Sequence, residues 1–167
     1  GSYVNLIRNE INRITGSYAV ENLRVGKLPC EFRSDAGLLR LLLHSDGPTS
    51  CADILLDGVN IRHLEMSCGG SPEQYINVTV RTERPCTLLL KGSGKIIRSE
   101  EYYGSHAVVN CGIGGCPTFR YRTEYAESYV APLKPDLILA EAHTINDWLY
   151  SPAPESYGAN LTELLKV

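Results

Sequence analysis

Turn-forming residues recur through the middle of this sequence at intervals of about 11 or 12 residues, or twice that, between residues 18 and 110. They separate short apolar runs, and in chain order they are Asp46-Gly47, Asp57-Gly58, Gly69-Gly70, Gly92-Ser93-Gly94 and Gly104. Runs this short, joined by tight turns, are typical of antiparallel strands. The sequence therefore predicts a mainly β domain over residues 17–131, folded as an antiparallel sandwich or a jelly-roll-like body.

The clearest hairpin has one arm at 52–56 and the other at 59–66, joined by Asp57-Gly58. An Asp-Gly pair supplies the positive φ angles that a type I′ turn needs. Further strands are predicted by alternation and by short connecting turns, at 75–81, 87–91 and 95–100.

An amphipathic helix is predicted before the β domain, within residues 1–16. Val4, Ile7, Ile11 and Ile14 follow 3-4-3 spacing, and Gly16 is placed to end the helix. The stripe either packs on the core of the same chain or, because it has heptad spacing, forms an oligomer interface. Both interpretations stay open at this point.

The segment 117–130 fits two patterns. Phe119, Tyr121 and Tyr125 fit one face of a strand, whereas Tyr121, Tyr125 and Tyr129 have helical i, i+4 spacing. Because Thr, Tyr and Phe favour strands, we predict a strand here.

A C-terminal helical extension is predicted over residues 132–167, after two prolines mark a boundary. Its first helix spans 136–150. Its second spans 160–166, with Asn160 as the N-cap and Glu163 at the capping-box position.

Six cysteines are present, and Cys111 and Cys116 form the close pair among them. Four residues separate the two thiols, so a local disulfide is possible, with free thiols as the alternative. A zinc site needs two more ligands, and no second close Cys/His pair supplies them. The sequence therefore predicts no metal site and no cofactor.

Charge and motif content argue against several classes of protein. Sixteen basic residues against nineteen acidic ones, with no basic block, argue against a nucleic-acid partner. The longest apolar runs fall far short of the ~20 residues that cross a bilayer, so membrane insertion is not expected.

No catalytic motif is present, and a non-enzyme is predicted. The Gly1-Ser2 start is typical of an expression-tag remnant.

The candidate ligand-binding residues are aromatic. Five of the ten tyrosines lie between residues 102 and 129, and tyrosine combines a large contact area with a hydroxyl group. Arginine also outnumbers lysine, which favours ordered interfaces over chemistry. The predicted ligand-binding set is Tyr102, Tyr103, His106, Tyr121 and Tyr125.

A short heptad helix followed by a tyrosine-bearing β head resembles the organisation of viral and bacteriophage fibre-tip, receptor-binding and capsid-decoration proteins. The resemblance implies a non-enzymatic structural or recognition module that self-associates, with a homotrimer favoured. It implies a host-surface glycan or protein, or a capsid protein, as partner. It also implies that the protein is located in a virion or outside the cell, and it does not exclude a cytoplasmic location.

Two other functions stay open. One is a secreted or cell-surface binding domain that disulfide bonds stabilise. The other is a small hydrolase or transferase that uses a Cys/His pair, with His63 beside Glu65, or His106, and a nucleophile such as Cys111. The sequence also contains two potential N-glycosylation sequons, at Asn77 and Asn160.

Overall fold

The computed structural model divides the chain into two compact units, residues 1–109 and 110–167. The structure describes residues 3–23, 26–47, 49–66, 75–82, 85–112, 116–140, 149, 154–164 and 166. The three-part division predicted from the sequence, at residues 16/17 and 131/132, stays a prediction.

The first unit has one helix and nine strands within the described residues. Their bounds are α1 Tyr3–Thr15, β1 Tyr18–Asn22, β2 Gly26–Lys27, β3 Cys30–Ser34, β4 Leu38–His44, β5 Cys51–Leu56, β6 Val59–Glu65, β7 Tyr75–Arg81, β8 Cys86–Gly92 and β9 Lys95–Tyr103.

Two antiparallel sheets build this unit. Sheet A has the strand order β1-β9-β4-β7, with β2 also paired to β9, and sheet B has the order β3-β8-β5-β6. Alternate residues of both sheets form one apolar core, because strand side chains point to opposite faces in turn. Core residues include Leu39, Leu41, Leu43, Val78, Ile54, Leu64, Leu88 and Leu90. The sandwich-like fold predicted from the sequence is confirmed.

The Asp57-Gly58 turn joins β5 to β6 as predicted. Asp57 has a φ of 49° and Gly58 a φ of 84°, the positive angles of a type I′ hairpin. The Thr87 backbone N–H donates a hydrogen bond of 2.8 Å to Asp57 Oδ1. The turn is therefore also tied to the neighbouring strand β8.

Helix α1 covers the residues that the apolar spacing predicts. It ends at Thr15, and Gly16, with a left-handed φ of 71°, follows directly. The Gly16 N–H donates to the Asn12 carbonyl at 2.9 Å, which satisfies one carbonyl of the last turn. No helix in the described ranges has both the length and the apolar character to cross a membrane.

The regular elements in the described part of the second unit are helical. It contains α2 (Thr118–Arg120), a π-helix (Tyr121–Val130), a 3₁₀ turn (Ala131–Leu133) and α3 (Pro154–Leu164). The strand predicted over 117–130 is therefore wrong. Ring contacts along the helix explain the result, since Tyr125 lies 6.1 Å from Tyr121 and 5.3 Å from Tyr129 between ring centroids. These contacts outweigh the strand propensity of single residues.

Two helix predictions in the C-terminal extension need correction. Residues 136–140 are not helical, while 141–148 and 150 lie outside the described residues. Helix α3 begins at Pro154, so Asn160 is interior to the helix and is not its N-cap. Proline is well tolerated in a first helical turn, and here it starts the helix earlier than the capping-box pattern predicts.

Candidate functional site

A stacked pair of tyrosines lies at one edge of sheet A. Tyr18 of β1 is directly opposite Tyr103 of β9. Their ring centroids are 4.6 Å apart and the planes differ by 11°. Tyr103 covers one face of the Tyr18 ring, and β1 is an edge strand of the described sheet. Tyr18 is 53% exposed, so its other face is open to solvent.

A buried carboxylate holds the inner ring of this pair. Glu101, which is 4% exposed, accepts hydrogen bonds from the Tyr103 hydroxyl at 2.9 Å and from Ser34 Oγ at 2.6 Å. Because Ser34 belongs to sheet B, the carboxylate links the two sheets. Burial, together with the bond to Glu101, raises the pKa of Tyr103 to about 12, so its hydroxyl stays protonated and donates at neutral pH.

The loop after β9 brings a histidine to the same edge. Gly104 has a φ of 92°, and a Cβ there would lie 2.5 Å from Ser17 Oγ. This close approach lets the His106 backbone N–H donate to Ser17 Oγ at 3.2 Å, directly before Tyr18 in the chain. The exposed His106 Nδ1 lies 2.8 Å from Ser105 Oγ. The loop therefore places two exposed polar side chains beside the aromatic edge.

A cavity of about 400 Å³ lies where the end of β3 and the start of β8 meet the Asp57-Gly58 turn. Its described lining residues are Arg33, Ser34, Asp35, Asp57, Pro85, Cys86 and Thr87. Ser34 belongs both to this lining and to the hydrogen-bond network of Tyr103. The charge of Asp35 also contributes to the raised pKa of Tyr103. Ser34 therefore connects the cavity lining to the hydrogen-bond network behind Tyr103. Tyr18, Tyr103, Ser105 and His106 are together called here the Tyr18 site.

Tyr102 was predicted to bind ligand, and the structure places it in the interior. It is 3% exposed, and its hydroxyl donates to Glu100 Oε2 at 3.0 Å. The guanidinium of Arg8 in α1 lies 5.9 Å from its ring centroid. Glu100 also pairs with the buried Arg40 at 3.3 Å. Burial raises the pKa of Tyr102, and its position does not support the predicted ligand-binding role.

The remaining predicted ligand residues lie in the second unit. Tyr121 and Tyr125 are half-buried on the π-helix, and the Tyr121 hydroxyl donates to the Cys111 carbonyl at 2.7 Å. Cys111 Sγ contacts the Tyr129 carbonyl at 3.6 Å, and Cys116 Sγ contacts the Pro117 carbonyl at 3.6 Å. A disulfide between the two sulfurs stays a prediction, as does ligand binding by the two tyrosines.

The predicted interface stripe on α1 is only partly covered. Val4, Ile7 and Ile11 are half-buried and Ile14 is 65% exposed, and no residue of α1 is fully buried. Arg8 fixes the helix to its own unit by donating from Nε to the Val108 carbonyl at 3.0 Å. Whether a second chain contacts this stripe stays a prediction.

His63 pairs with a different partner from the one the sequence suggested. Its Nδ1 lies 2.7 Å from Asp53 Oδ1 across the β5–β6 ladder, on the exposed face of sheet B. Asn60 donates to the same carboxylate oxygen at 3.2 Å. The hydrogen bond from His63 lowers the pKa of Asp53. Within the described residues no group of three His, Cys, Asp or Glu side chains converges closely enough to hold a metal ion.

The two glycosylation sequons differ in exposure. Asn77 lies within β7, opposite Leu42 of β4, and is 5% exposed. Its Oδ1 has no hydrogen-bond partner among the described residues. Asn160 is half-buried on α3.

The sequence prediction did not include Tyr18, which stacks on Tyr103, or Ser34, which bonds the carboxylate behind Tyr103. Tyr18 opens the first strand directly after Gly16-Ser17, which is a usable signal for an exposed strand start. Its pairing with Tyr103, however, joins residues far apart in the chain, and periodicity within a strand contains no information on such pairings.

No family model and no curated protein matches the chain. One similar solved structure is a family GH115 4-O-methyl-alpha-glucuronidase with specificity for decorated arabinogalactans, at 14% identity and a TM-score of 0.34. The match covers 53% of this chain and 14% of that one. A second is a family 35 carbohydrate-binding module from an environmental isolate, at 13% identity and a TM-score of 0.29, covering 56% and 72% of the respective chains. Likeness this weak says nothing about what this chain binds.

Proposed function

We propose that the first unit is a non-catalytic recognition module that binds a glycan at the Tyr18 site. The observation behind the proposal is the open ring face of Tyr18, backed by Tyr103 and flanked by polar groups. Sugar rings present apolar C–H faces and hydroxyl groups together. An aromatic face beside hydroxyl and imidazole groups complements both features.

The aromatic surface of the site is fixed in position by contacts within the first unit. Glu101 and Ser34 hold Tyr103 in place before any ligand arrives. Preorganisation of this kind lowers the entropy cost of binding.

The test is binding of the purified chain to an array of defined neutral, aminated and carboxylated oligosaccharides. We expect Tyr18→Ala to weaken binding to the best glycan about tenfold, the equivalent of about 1.4 kcal/mol. Tyr3→Ala is the matched control, because Tyr3 is 47% exposed on α1 and lies outside the site. No binding to any glycan, or equal loss in both variants, would contradict the proposal.

A second proposal is that copies of the chain associate through the stripe on α1, as a virion fibre-tip, receptor-binding or decoration module would. The supporting observation is the exposed Ile14 at the end of a stripe with β-branched residues at every heptad position, a composition that favours trimers over dimers. Light scattering after size-exclusion chromatography should give about three chain masses. Ile14→Glu should reduce this to one, and a monomeric wild type would rule the proposal out.

A further inference from the structure

A second cavity, of about 440 Å³, lies within the second unit. Its described lining residues are Arg122, Thr123 and Glu127 of the π-helix, Glu163 of α3, and Lys166 just after α3. Four of these side chains are charged, two of each sign. Lys166 and Glu163 are paired with each other, because the Lys166 ammonium donates a hydrogen bond to Glu163 Oε1. The charges left for a ligand are therefore those of Arg122 and Glu127.

The guanidinium of Arg122 is an unused set of donors. Arg122 is half-buried, and its side chain makes no hydrogen bond or ion pair with the residues that the structure describes. Its Nε is closed off from solvent, so the terminal nitrogens are the donors that a molecule in the cavity can reach. A partly buried charge without a partner is unfavourable, and the planar fork of a guanidinium matches the two oxygens of a carboxylate.

The type of helix places Glu127 on the same side as Arg122. Backbone hydrogen bonds in a π-helix join residues five apart, so Glu127 lies about one turn after Arg122. In an α-helix the same two side chains would diverge by about 140°. Glu127 is exposed, and within the described part of the chain its carboxylate also lacks a hydrogen-bond or ion-pair partner. One face of the helix thus presents an available cation and an available anion to the same cavity.

We propose that this cavity binds a small zwitterion, a free amino acid whose carboxylate contacts Arg122 and whose ammonium group contacts Glu127. The proposal concerns the second unit alone and is independent of glycan binding at the Tyr18 site. A plain anion would be attracted by Arg122 but repelled by the carboxylates that line the same cavity, and a plain cation would meet the reverse. Because the lining charges balance, a ligand that carries both charges gains at both ends.

The experiment is a titration of the isotope-labelled chain with glycine, β-alanine and γ-aminobutyrate, followed through the amide NMR signals of residues 121–130. The three probes differ in the distance between carboxylate and ammonium. Butyrate and butylamine are the matched probes, since each has one of the two charged groups on the same carbon skeleton as γ-aminobutyrate. We expect at least one zwitterion to shift these signals and to bind about fivefold more tightly than butyrate or butylamine.

Two substitutions locate the two ends of the ligand. Arg122→Gln and Glu127→Gln should each weaken binding of the best zwitterion about fivefold. Arg62→Gln and Glu155→Gln are the matched controls, because both residues are exposed and neither lines the cavity, and they should leave binding unchanged. Glu127 is exposed, so Glu127→Gln is a test that does not depend on whether Arg122→Gln disturbs the helix.

Three outcomes would overturn the proposal. The first is that none of the three zwitterions shifts the signals of the π-helix. The second is that butyrate or butylamine binds as tightly as the best zwitterion, which would show that one charge is enough. The third is that Glu155→Gln weakens binding as much as Glu127→Gln does, which would place the ligand elsewhere.

Discussion

At the scale of single residues, Glu101 connects the fold to the site. Its carboxylate lies between two sheets and is satisfied by hydroxyl groups from each side, which is how a buried acid is tolerated. The same contacts orient the Tyr103 ring on which Tyr18 stacks. A residue that serves the core therefore also sets the geometry of the exposed surface.

Gly104→Ala should destabilise the first unit by about 2 kcal/mol, because the position needs a left-handed φ and the new Cβ would collide with Ser17. Urea unfolding measures the change. Gly26→Ala is the control, since a Cβ at that position meets open space, and it should change stability by less than about 0.5 kcal/mol. Equal effects of the two substitutions would show that the close approach at Ser17 is unimportant.

The carboxyl of Asp53 should titrate below its ordinary value of 3.8, because His63 donates a hydrogen bond to its charged form. A depressed pKa in the folded state stabilises the fold above 3.8, and this contribution is lost as the pH falls through the lower value. NMR of the side-chain carboxyl measures the midpoint. His63→Ala should raise the midpoint, whereas Glu65→Gln should leave it unchanged. A midpoint that does not move in His63→Ala contradicts the pairing.

Among single residues, the sequence prediction includes two members of the proposed site, Tyr103 and His106, because tyrosine and histidine cluster near a glycine turn, and their ligand-binding role stays a prediction. Tyr102 is selected by the same reasoning, yet it is buried, because neighbours in a strand point to opposite faces. Which of two adjacent tyrosines faces outward depends on what packs against the sheet, and the local pattern does not contain that information.

At the scale of elements, the π-helix is the most unusual part of the chain, since such helices are rare and are often found at functional sites. Tyr121→Phe should destabilise it by about 1 kcal/mol, because the Cys111 carbonyl loses its hydroxyl donor. Amide hydrogen exchange over 121–130 measures the effect. Ser128→Ala is the control, because it removes an exposed hydroxyl bond within the helix and should have less effect. Unchanged exchange in Tyr121→Phe would show that the bond does not support the helix.

The elements differ in how well the sequence predicts them. Helix α1 and the hairpin at Asp57-Gly58 are predicted correctly because apolar spacing, a stop signal and turn chemistry all agree. The segment 117–130 is predicted wrongly because its strand propensity and its i, i+4 tyrosine spacing disagree. The i, i+4 spacing of the tyrosines predicts the helix correctly, because the contacts between their three rings stabilise successive helical turns. Strand propensity, in contrast, is a preference of each residue taken alone.

At the scale of the whole molecule, we expect residues 1–109 to fold on their own. The apolar core between the two sheets belongs entirely to this unit. In the described part of the second unit, the fully buried apolar side chains are Ala126 and Leu133. Thermal unfolding followed by circular dichroism should be cooperative for a 1–109 fragment and broad for a 110–167 fragment. A fragment 1–109 without a cooperative transition would contradict this expectation.

The burial of Asn77 has a consequence for how the protein can be produced. In a eukaryotic secretory host, the sequon at Asn77 is open to modification while the chain is still unfolded. A bulky polar oligosaccharide attached there has no room in the closely packed ladder between β7 and β4. Chains modified at Asn77 would be retained and degraded, and secreted yield would rise with Asn77→Gln. Expression in bacteria avoids this loss altogether.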